Sequence, residues 1–401
     1  MKRLLLVSLL VASGAQAAET VVLPQSTFLL DFSYLQSSLD ARYDQDRQKL
    51  PLIDPILRYE PGGGLQGTIG ARPEAVFRML VLQLGYGITD NLTALVFVPI
   101  VLNTSITANL SWQPGDYQPS LGRPYSQDDF WAWARSMGQP RPPDYAETNK
   151  GVLADMVVGM RYKLKPYAWL QRLGLQVAGT LAFALPTGKS PDPEELLVAG
   201  TTSWELHSYG DIEAHLSVDR PLFVDEYGVP RINLGADVGY SFFRPREYTA
   251  ARGTVNPLLL TQAPYVGEKY WIDPGDWFTT AFSIDLNPFF GPAEATIVSG
   301  KNVERAKTLP PMVSITLTYN YILTAGSNWW SQSPLWEYDR EKMWGQGDKH
   351  AFKAQLNLSF LRVGLPLQMY IGYRAQDLFH GKNTRAANTF SFGLRMVAKF
   401  W

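Results

Sequence analysis

The sequence contains no cysteine among its 401 residues. An exported chain of this composition cannot be a disulfide-stapled scaffold, and it has no thiol nucleophile or cysteine-ligated metal. Charged residues are also scarce, at 18% of the chain, whereas typical soluble domains contain about 25%. The formal net charge is −1, which excludes a strongly basic nucleic-acid-binding protein as the default interpretation. We therefore expect no nucleic-acid partner.

Long apolar runs are missing as well. Beyond the first residues no run reaches the roughly 18 apolar residues that a membrane-spanning helix needs. Aromatic residues, in contrast, make up 13% of the chain, with 12 tryptophans and 20 tyrosines. This combination is typical of a transmembrane β-barrel, whose strands show only every second side chain to lipid.

The first 17 residues have the three parts of a secretory signal peptide. Lys2 and Arg3 form the positive region, Leu4–Val11 form a short apolar region, and Ala15-Gln16-Ala17 is a small-residue cleavage site. An uncleaved anchor is the alternative, but the apolar stretch is too short to span a bilayer. We predict that residues 1–17 are removed and that residues 18–401 form the exported protein, with 34 basic and 37 acidic residues.

The dominant hydrophobic period in the remaining chain is two residues, as in a β-strand. The last strand shows it most clearly, because Phe390, Phe392 and Leu394 alternate with Ser391 and Gly393. About nine to eleven tilted residues suffice to cross a membrane. The period recurs over twelve segments, of which the second and third are apolar on both faces: 26–36, 76–88, 92–104, 153–164, 173–185, 209–220, 231–243, 277–287, 312–324, 350–360, 366–376 and 389–401.

The connections between these segments alternate in length, as in bacterial outer-membrane barrels. Segment 288–309 is an exception, being long for a periplasmic turn, and either holds an extra helix or marks a misplaced boundary. With both termini periplasmic, the external loops are 37–74, 105–151, 186–208, 244–275, 325–348 and 377–388.

We predict an all-β fold: a transmembrane antiparallel up-and-down β-barrel of about 12 strands with long external loops. A soluble β-sandwich also alternates, but long apolar faces with aromatic residues near their ends favour a barrel in the outer membrane of a Gram-negative bacterium. The expected partners are outer-membrane lipid and the barrel assembly machinery, which reads a C-terminal aromatic residue. The chain ends on Trp401, although the apolar phase falls on Phe400.

Several segments resemble a family of outer-membrane transporters named for the meta-cleavage pathway of phenol degradation and related to sphingolipid-uptake barrels. The resemblance rests on Gly85–Thr93 running into Phe97-Val98-Pro99, on Gly179–Ala184 followed by Leu185-Pro186-Thr187-Gly188, and on Gly210-Asp211-Ile212. It covers roughly residues 80–240. It implies uptake of small molecules, often apolar or aromatic, and it carries no catalytic residues.

Charged and polar side chains on the predicted inner faces are the candidate substrate pathway. Opposite charges across a pore orient polar solutes and tune ion selectivity. The alternative is that they pair with each other and hold the barrel rigid or shut. The residues predicted to line the lumen are Asp31, Asp155, Arg161, Asp211, Glu213, His215, Asp219, Asp237, Asp285, Lys353, Arg374 and Arg395.

Tryptophans in the predicted external loops are candidates for capturing an apolar ligand. The alternative is that the loops simply pack on each other. The candidates are Trp131, Trp133, Trp329 and Trp330. Residues 127–137 also have helical spacing, and such a helix would either plug the mouth partly or lie on the surface.

Catalysis finds little support in the sequence, which has only four histidines. His207 and Ser208 are neighbours, but adjacent residues of a strand point to opposite faces. The sequence shows no phosphate-binding loop and no zinc spacing, so we expect no cofactor, no metal and no enzymatic activity. The predicted function is passive or facilitated uptake of small molecules, hydrophobic or aromatic ones included. Two alternatives stay open, a hydrolase at the barrel rim and a plugged barrel with adhesive or structural loops.

Overall fold

The structure is a computed structural model. None of its described helices is long and apolar enough to cross a membrane. The predicted signal peptide and the two C-terminal aromatic residues lie outside the described residues. These are 20–52, 55–59, 63–116, 122–136, 141, 143–148, 150–188, 211–224, 230–249, 268–273, 275–289, 311–326, 328–332, 346–363, 365–376, 378 and 380–399.

Strands dominate the described chain, joined by two α-helices and one short 3₁₀ turn over Leu361–Val363. In chain order the elements are β1 (Thr27–Tyr43), β2 (Lys49–Pro51), β3 (Ile56–Tyr59), β4 (Leu65–Ala71), β5 (Glu74–Thr89), β6 (Leu92–Thr107), β7 (Leu110–Pro114), α1 (Gln127–Ser136), β8 (Tyr145–Thr148), β9 (Val152–Leu153), β10 (Val157–Lys163), α2 (Ala168–Leu173), β11 (Gln176–Ala184), β12 (Ile212–Val224), β13 (Pro230–Phe242), β14 (Arg246–Thr249), β15 (Lys269–Asp273), β16 (Trp277–Phe289), β17 (Val313–Thr324), β18 (Asn328–Ser331), β19 (Gly347–Ser359), β20 (Leu367–Ala375) and β21 (Thr384–Lys399).

Twelve of these strands form a closed antiparallel barrel. Its order is β1-β5-β6-β10-β11-β12-β13-β16-β17-β19-β20-β21, and β21 pairs again with β1. Each predicted strand segment corresponds to one barrel strand, so the twelve-strand prediction is confirmed. Closure leaves no strand edge unpaired, which a chain in lipid requires because no water is there to satisfy backbone groups.

The two faces of the barrel wall have the polarity opposite to that of a soluble protein. On β1, Phe32 is 48% exposed while its neighbour Asp31 is only 2% exposed. Met160 and Phe282 are likewise exposed on the outside. Apolar side chains therefore cover the outer surface and buried polar side chains lie inside the barrel, as expected when the solvent is a lipid bilayer.

The short connections lie at one end of the barrel. β5 and β6 are joined by a tight turn at Asp90-Asn91, and β10 and β11 are joined through α2. Helix α2 ends at Gly174, whose left-handed conformation (φ 64°) lets its N–H bond to the carbonyl of Gln171. By the usual rule for such barrels this end is periplasmic.

Two small sheets lie among the long connections at the other end. One has the order β3-β4-β7 and the other β14-β15-β18. Helix α1 begins after Ser126 in a capping box, because the Ser126 backbone N–H donates to Asp129 and the Asp129 N–H donates back to the Ser126 hydroxyl. The helix packs on Ile69 of the first sheet, so the external region has a small apolar core of its own.

One strand boundary differs from the prediction. The predicted strand 153–164 is broken between β9 and β10. Continued alternation would turn Ala154 toward lipid, but Ala154 is fully buried in an apolar cluster. The alternation predicted through Asp155 therefore does not hold on both sides of the break. The uncertain segment 288–309 falls almost wholly outside the described residues beyond β16.

Candidate functional site: the barrel interior

The inner surface of the barrel divides into three sectors of different chemistry. We call them the apolar wall, on β1, β5 and β6, the acidic wall, on β12, β13 and β16, and the basic wall, on β19, β20 and β21. They follow each other around the ring in the strand order.

The apolar wall is a continuous cluster of buried side chains. Met79 is fully buried, and Leu52, from the connection after β2, packs on the cluster from the external side. The wall is therefore covered in this structure. Its buried members are Leu35, Leu39, Ala75, Phe77, Met79, Val81, Val101, Ala154 and Ala387.

This wall is the functional feature that sequence reasoning missed. The signal was present, because 76–88 and 92–104 are apolar on both faces. A strand with lipid on one side and an apolar lumen on the other loses its period of two. The weak alternation of β5 and β6 thus reflects their two apolar environments.

The acidic wall holds five of the predicted lumen residues. They are Asp211, Glu213 and Asp219 on or beside β12, Asp237 on β13 and Asp285 on β16. Four are at least nine-tenths buried, with Asp285 only 1% exposed. His215 belongs to the same sector, and Arg161 of β10 lies on the inner face nearby, with its Nε donating to Thr180.

His215 is held by two carboxylates rather than by a nucleophile. Its Nδ1 lies 2.8 Å from Asp237 and its Nε2 lies 3.8 Å from Glu213. The Ser217 hydroxyl donates to the other oxygen of Asp237 at 2.6 Å. Serine and histidine thus both bond to the carboxylate and not to each other, whereas a hydrolytic triad needs the serine on the imidazole.

The basic wall is formed by Lys353, Arg374 and Arg395 on three successive strands. Lys353 and Arg374 are register partners, and both are buried, with 6% and 5% of their surface exposed. Arg395 bonds to Asp31 at 2.7 Å, and the Tyr370 hydroxyl donates to the same carboxylate at 3.1 Å. This bridge joins the basic wall to β1 at the periplasmic end.

The ion pairs among the described interior residues join neighbouring elements. Asp31 and Arg395 lie on adjacent strands, as do His215 and Asp237. Arg246 of β14 pairs with Asp211 with both side chains buried, and it fixes the second external sheet to the barrel rim. None of these three pairs joins the acidic wall to the basic wall, and charged walls that face each other across a pore set up a transverse field.

A chain segment before β1 crosses the periplasmic mouth. The Thr20 N–H and hydroxyl donate to Asp219 on β12, at 2.8 and 2.6 Å, and the Leu23 N–H donates to Thr93 on β6. β12 lies almost opposite β1 in the ring, with four strands between them on one side and six on the other. Six extended residues reach about 20 Å, so residues 20–26 run across the opening.

Close contact between this segment and the wall requires a small residue on β5. A side chain at Gly87 would collide with the backbone of Pro24. The Ser26 N–H also donates to the Gly87 carbonyl at 2.8 Å. The glycine therefore lets residues 23–26 lie flat on β5, and the segment is part of the packed structure.

Asp155 is placed differently from the other predicted lumen residues. It lies between β9 and β10, outside any strand, and one of its oxygens accepts the backbone N–H of Gly188 at 2.8 Å. The Thr187 hydroxyl, from the same Leu-Pro-Thr-Gly motif, accepts the Met156 N–H. Asp155 thus fastens the start of an external connection, and its place in the substrate pathway stays a prediction.

The predicted loop tryptophans fall into two groups. Trp131 is buried against Phe130 in the core under the first external sheet, and Trp133 is covered by the Arg58 guanidinium at 3.6 Å. These two contact other loop residues, as the packing alternative requires. Trp330 is 39% exposed and stacks on Trp271 of β15, and the side chain of Trp329 lies outside the described set. Helical spacing in residues 127–137 would place Phe130, Trp133, Ala134 and Met137 on one face. In the structure the buried residues of α1 are Phe130, Trp131 and Ala134, and Met137 lies beyond the described residues.

No protein-family model matches the chain, and no curated protein matches its sequence. Among solved structures, the COG4313 outer membrane channel from Pseudomonas putida F1 has a TM-score of 0.56 at 8% identity, over 96% of this chain and 100% of that chain. This likeness shows a shared fold, in agreement with the fold implied by the family resemblance. The chain is an outer-membrane β-barrel.

Two further solved structures are less similar. The CymD monoaromatic hydrocarbon channel has a TM-score of 0.35 at 8% identity, over 96% of this chain and 95% of that chain. The Pseudomonas putida toluene transporter TodX has a TM-score of 0.34 at 8% identity, over 96% and 92% of the two chains.

Proposed function

We propose that this chain is an outer-membrane channel for small hydrophobic or aromatic molecules, acting by passive or facilitated uptake rather than by catalysis. The observation that carries the proposal is the apolar wall. A barrel that passes only ions and sugars gains nothing from Phe77, Met79 and Val81 on its inner face, because a wet lumen favours polar side chains. An apolar cargo gains free energy by leaving water for such a surface.

The cargo has to displace what covers the wall. Met79 and Val101 are fully buried, and Leu52 packs on the cluster from the external side. Entry from outside therefore requires Leu52 and its neighbours to move. Facilitated diffusion with a saturable rate is the expected behaviour, since each passage depends on that movement.

Uptake into proteoliposomes tests the proposal. The purified chain should speed entry of a radiolabelled aromatic hydrocarbon well above that of glucose. Met79→Gln places a polar group on the apolar wall and should slow aromatic uptake. The matched control is Gln355→Met, the reverse exchange on the inner face of β19, which should leave it unchanged. Folding of each variant is checked by heat-modifiable migration, and equal uptake by wild type and empty liposomes would reject the proposal.

A plugged barrel with adhesive or structural loops is the second candidate, and the segment across the periplasmic mouth favours it. Thr20 is completely buried and bonded to Asp219. In that case the lumen would conduct nothing, and the external sheets would carry the function through a bound partner.

Removing the segment separates the two candidates. Deletion of residues 20–24 breaks the bonds to Asp219 and Thr93 and should raise single-channel conductance several-fold in planar bilayers. A channel should conduct before the deletion and conduct more after it. A wild-type chain that is silent in current and in hydrocarbon uptake, yet opens after the deletion, would favour the plugged barrel.

A further inference from the structure

The acidic wall contains a gap between two carboxylates near the periplasmic end. Asp219 of β12, Gly235 of β13 and Ser283 of β16 are register partners across three strands. Because Gly235 has no side chain, the row is empty at its centre. A Cβ built there would lie 3.1 Å from Asp219 Oδ1 and would collide with Ser283 Oγ, so both oxygens point to the same space.

A second carboxylate stands beside this gap. Asp285 is two residues from Ser283 on the inner face of β16, and its Oδ2 accepts a hydrogen bond from Asn233 at 3.3 Å. The Thr316 hydroxyl lies close enough to bond to it as well, and the Asp219 charge acts on it. Asp219 and Asp285 are 2% and 1% exposed, so two like charges are buried in the same part of the interior.

Two polar atoms of this cluster have no hydrogen-bond partner. Ser283 Oγ and Asp285 Oδ1 are both buried and unsatisfied, on side chains that are 4% and 1% exposed. A buried polar atom without a partner is costly, and a buried carboxylate is more costly still. The Ser283 hydroxyl points into the gap, which is where a ligand would satisfy it.

The positive groups nearby do not reach Asp285. Lys163 interacts electrostatically with Asp219, and its ammonium donates a hydrogen bond to Gln176 at 2.6 Å. Asp219 also accepts both donors of Thr20 on its Oδ2. Among the described residues no lysine or arginine forms an ion pair with Asp285. A bound cation would place a positive charge beside Asp285.

We propose that Asp219, Asp285 and Ser283 form a binding site for a divalent cation of the calcium class in the periplasmic half of the lumen. Such hard cations take carboxylate, hydroxyl, amide and water oxygens at 2.3–2.6 Å, and the donors here are all oxygens. The described part of the chain has no cluster of three or more acidic, histidine or cysteine side chains that could hold a metal ion. The proposed site is smaller, because only two acidic side chains contribute to it. Water completes the coordination.

The site would also tie three elements to the segment across the mouth. The cation contacts Asp219 Oδ1, while Oδ2 of the same carboxylate holds Thr20. The inference does not rest on transport, because it follows from the cluster alone, and it would hold in an open or a plugged barrel.

Calorimetric titration of the refolded, chelator-treated full chain with CaCl₂ tests the site, in detergent free of lipopolysaccharide. One equivalent of Ca²⁺ should bind. Asp285→Asn, nearly isosteric, should weaken binding by about tenfold or more, since even outer-shell partners of metal ligands are worth that much. Ser283→Ala should weaken it less, and Gly235→Ala should abolish it by filling the gap.

Two matched variants serve as controls. Asp237→Asn removes a neighbouring interior carboxylate that is bonded to His215 and Ser217, and it should bind Ca²⁺ as wild type does. Gly239→Ala adds a methyl group on the same strand against Thr279 and His215, and it should cause similar strain without affecting Ca²⁺. The proposal would be overturned if the wild type bound no Ca²⁺, or if Asp285→Asn and Gly235→Ala bound Ca²⁺ as tightly as the wild type does.

Discussion

The apolar wall and the two charged walls solve the same problem of lining a barrel in opposite ways. Phe77, Met79 and Val81 fill their sector by packing on each other and need no partner. Asp31 and Arg395 remain buried only because each neutralises the other. This ion pair depends on pairwise coupling, whereas the apolar wall tolerates hydrophobic exchange and rejects charge. Under the proposed function, the apolar wall would contact an apolar cargo, and the charged walls would supply rigidity and a transverse field.

A charge placed on the apolar wall should have the largest effect. Val81→Asp buries a carboxylate beside Leu35 and Met79 with no cation to pair with, and an uncompensated buried charge costs about 3–5 kcal/mol. Urea unfolding in detergent micelles measures the loss. The matched variant is Thr389→Asp, whose register partner is Arg374, and it should lose much less. Equal losses would mean that the walls do not differ.

Breaking the pair on the basic wall should have a smaller effect. Arg395→Met leaves Asp31 buried with the Tyr370 hydroxyl as a remaining donor, and we expect a loss of about 2 kcal/mol.

The double variant Asp31→Asn/Arg395→Met should regain part of that stability, because it removes the stranded charge. A double-mutant cycle measures the coupling. Additive losses would show that the two groups do not interact and would remove the contrast with the apolar wall.

Helix α1 lies in the external region, outside the membrane, and loss of its N-terminal cap should have the smallest effect of the changes considered. The Arg123 guanidinium, with the Ser126 N–H and hydroxyl, lowers the pKa of Asp129 well below its usual range. A lowered folded-state pKa means that Asp129 stabilises the helix above its unfolded pKa, near pH 4, and that this is lost as the pH falls further.

Hydrogen exchange of the α1 amides, normalised for the intrinsic rate, should therefore show protection that is constant from pH 7 to 5 and decreases below pH 4. The change should correspond to about 1 kcal/mol, the usual size of an N-terminal cap. Asp129→Asn should abolish the pH dependence. Interior strand amides should show no such step, and a parallel loss there would indicate global acid unfolding instead.

The barrel could be predicted from sequence because its outer face repeats one signal twelve times. Phe390, Phe392 and Leu394 alternate with small residues because every second side chain of the strand faces lipid. The same holds for every strand of the barrel. The external strands are different. β3 and β14 have four residues each, too few for a period to show.

Features of the interior could be predicted only in part. Charged residues such as Asp211 and Lys353 stand out against apolar neighbours, so their place inside the barrel followed from the alternation. Met79 and Val81 did not stand out, because both faces of β5 are apolar. Asp155 was placed on a continuous strand, because the break between β9 and β10 leaves the composition unchanged. The segment across the mouth has no periodic pattern, and only Gly87 hints at a close approach.

The most direct test of the central claim, that apolar cargo travels along the apolar wall, is a crystal structure with a brominated benzene soaked in. We expect an anomalous bromine peak inside the barrel against Phe77 and Met79, with Leu52 displaced. Bromine only on the lipid-facing surface or between Trp271 and Trp330, with the apolar wall still covered, would contradict it.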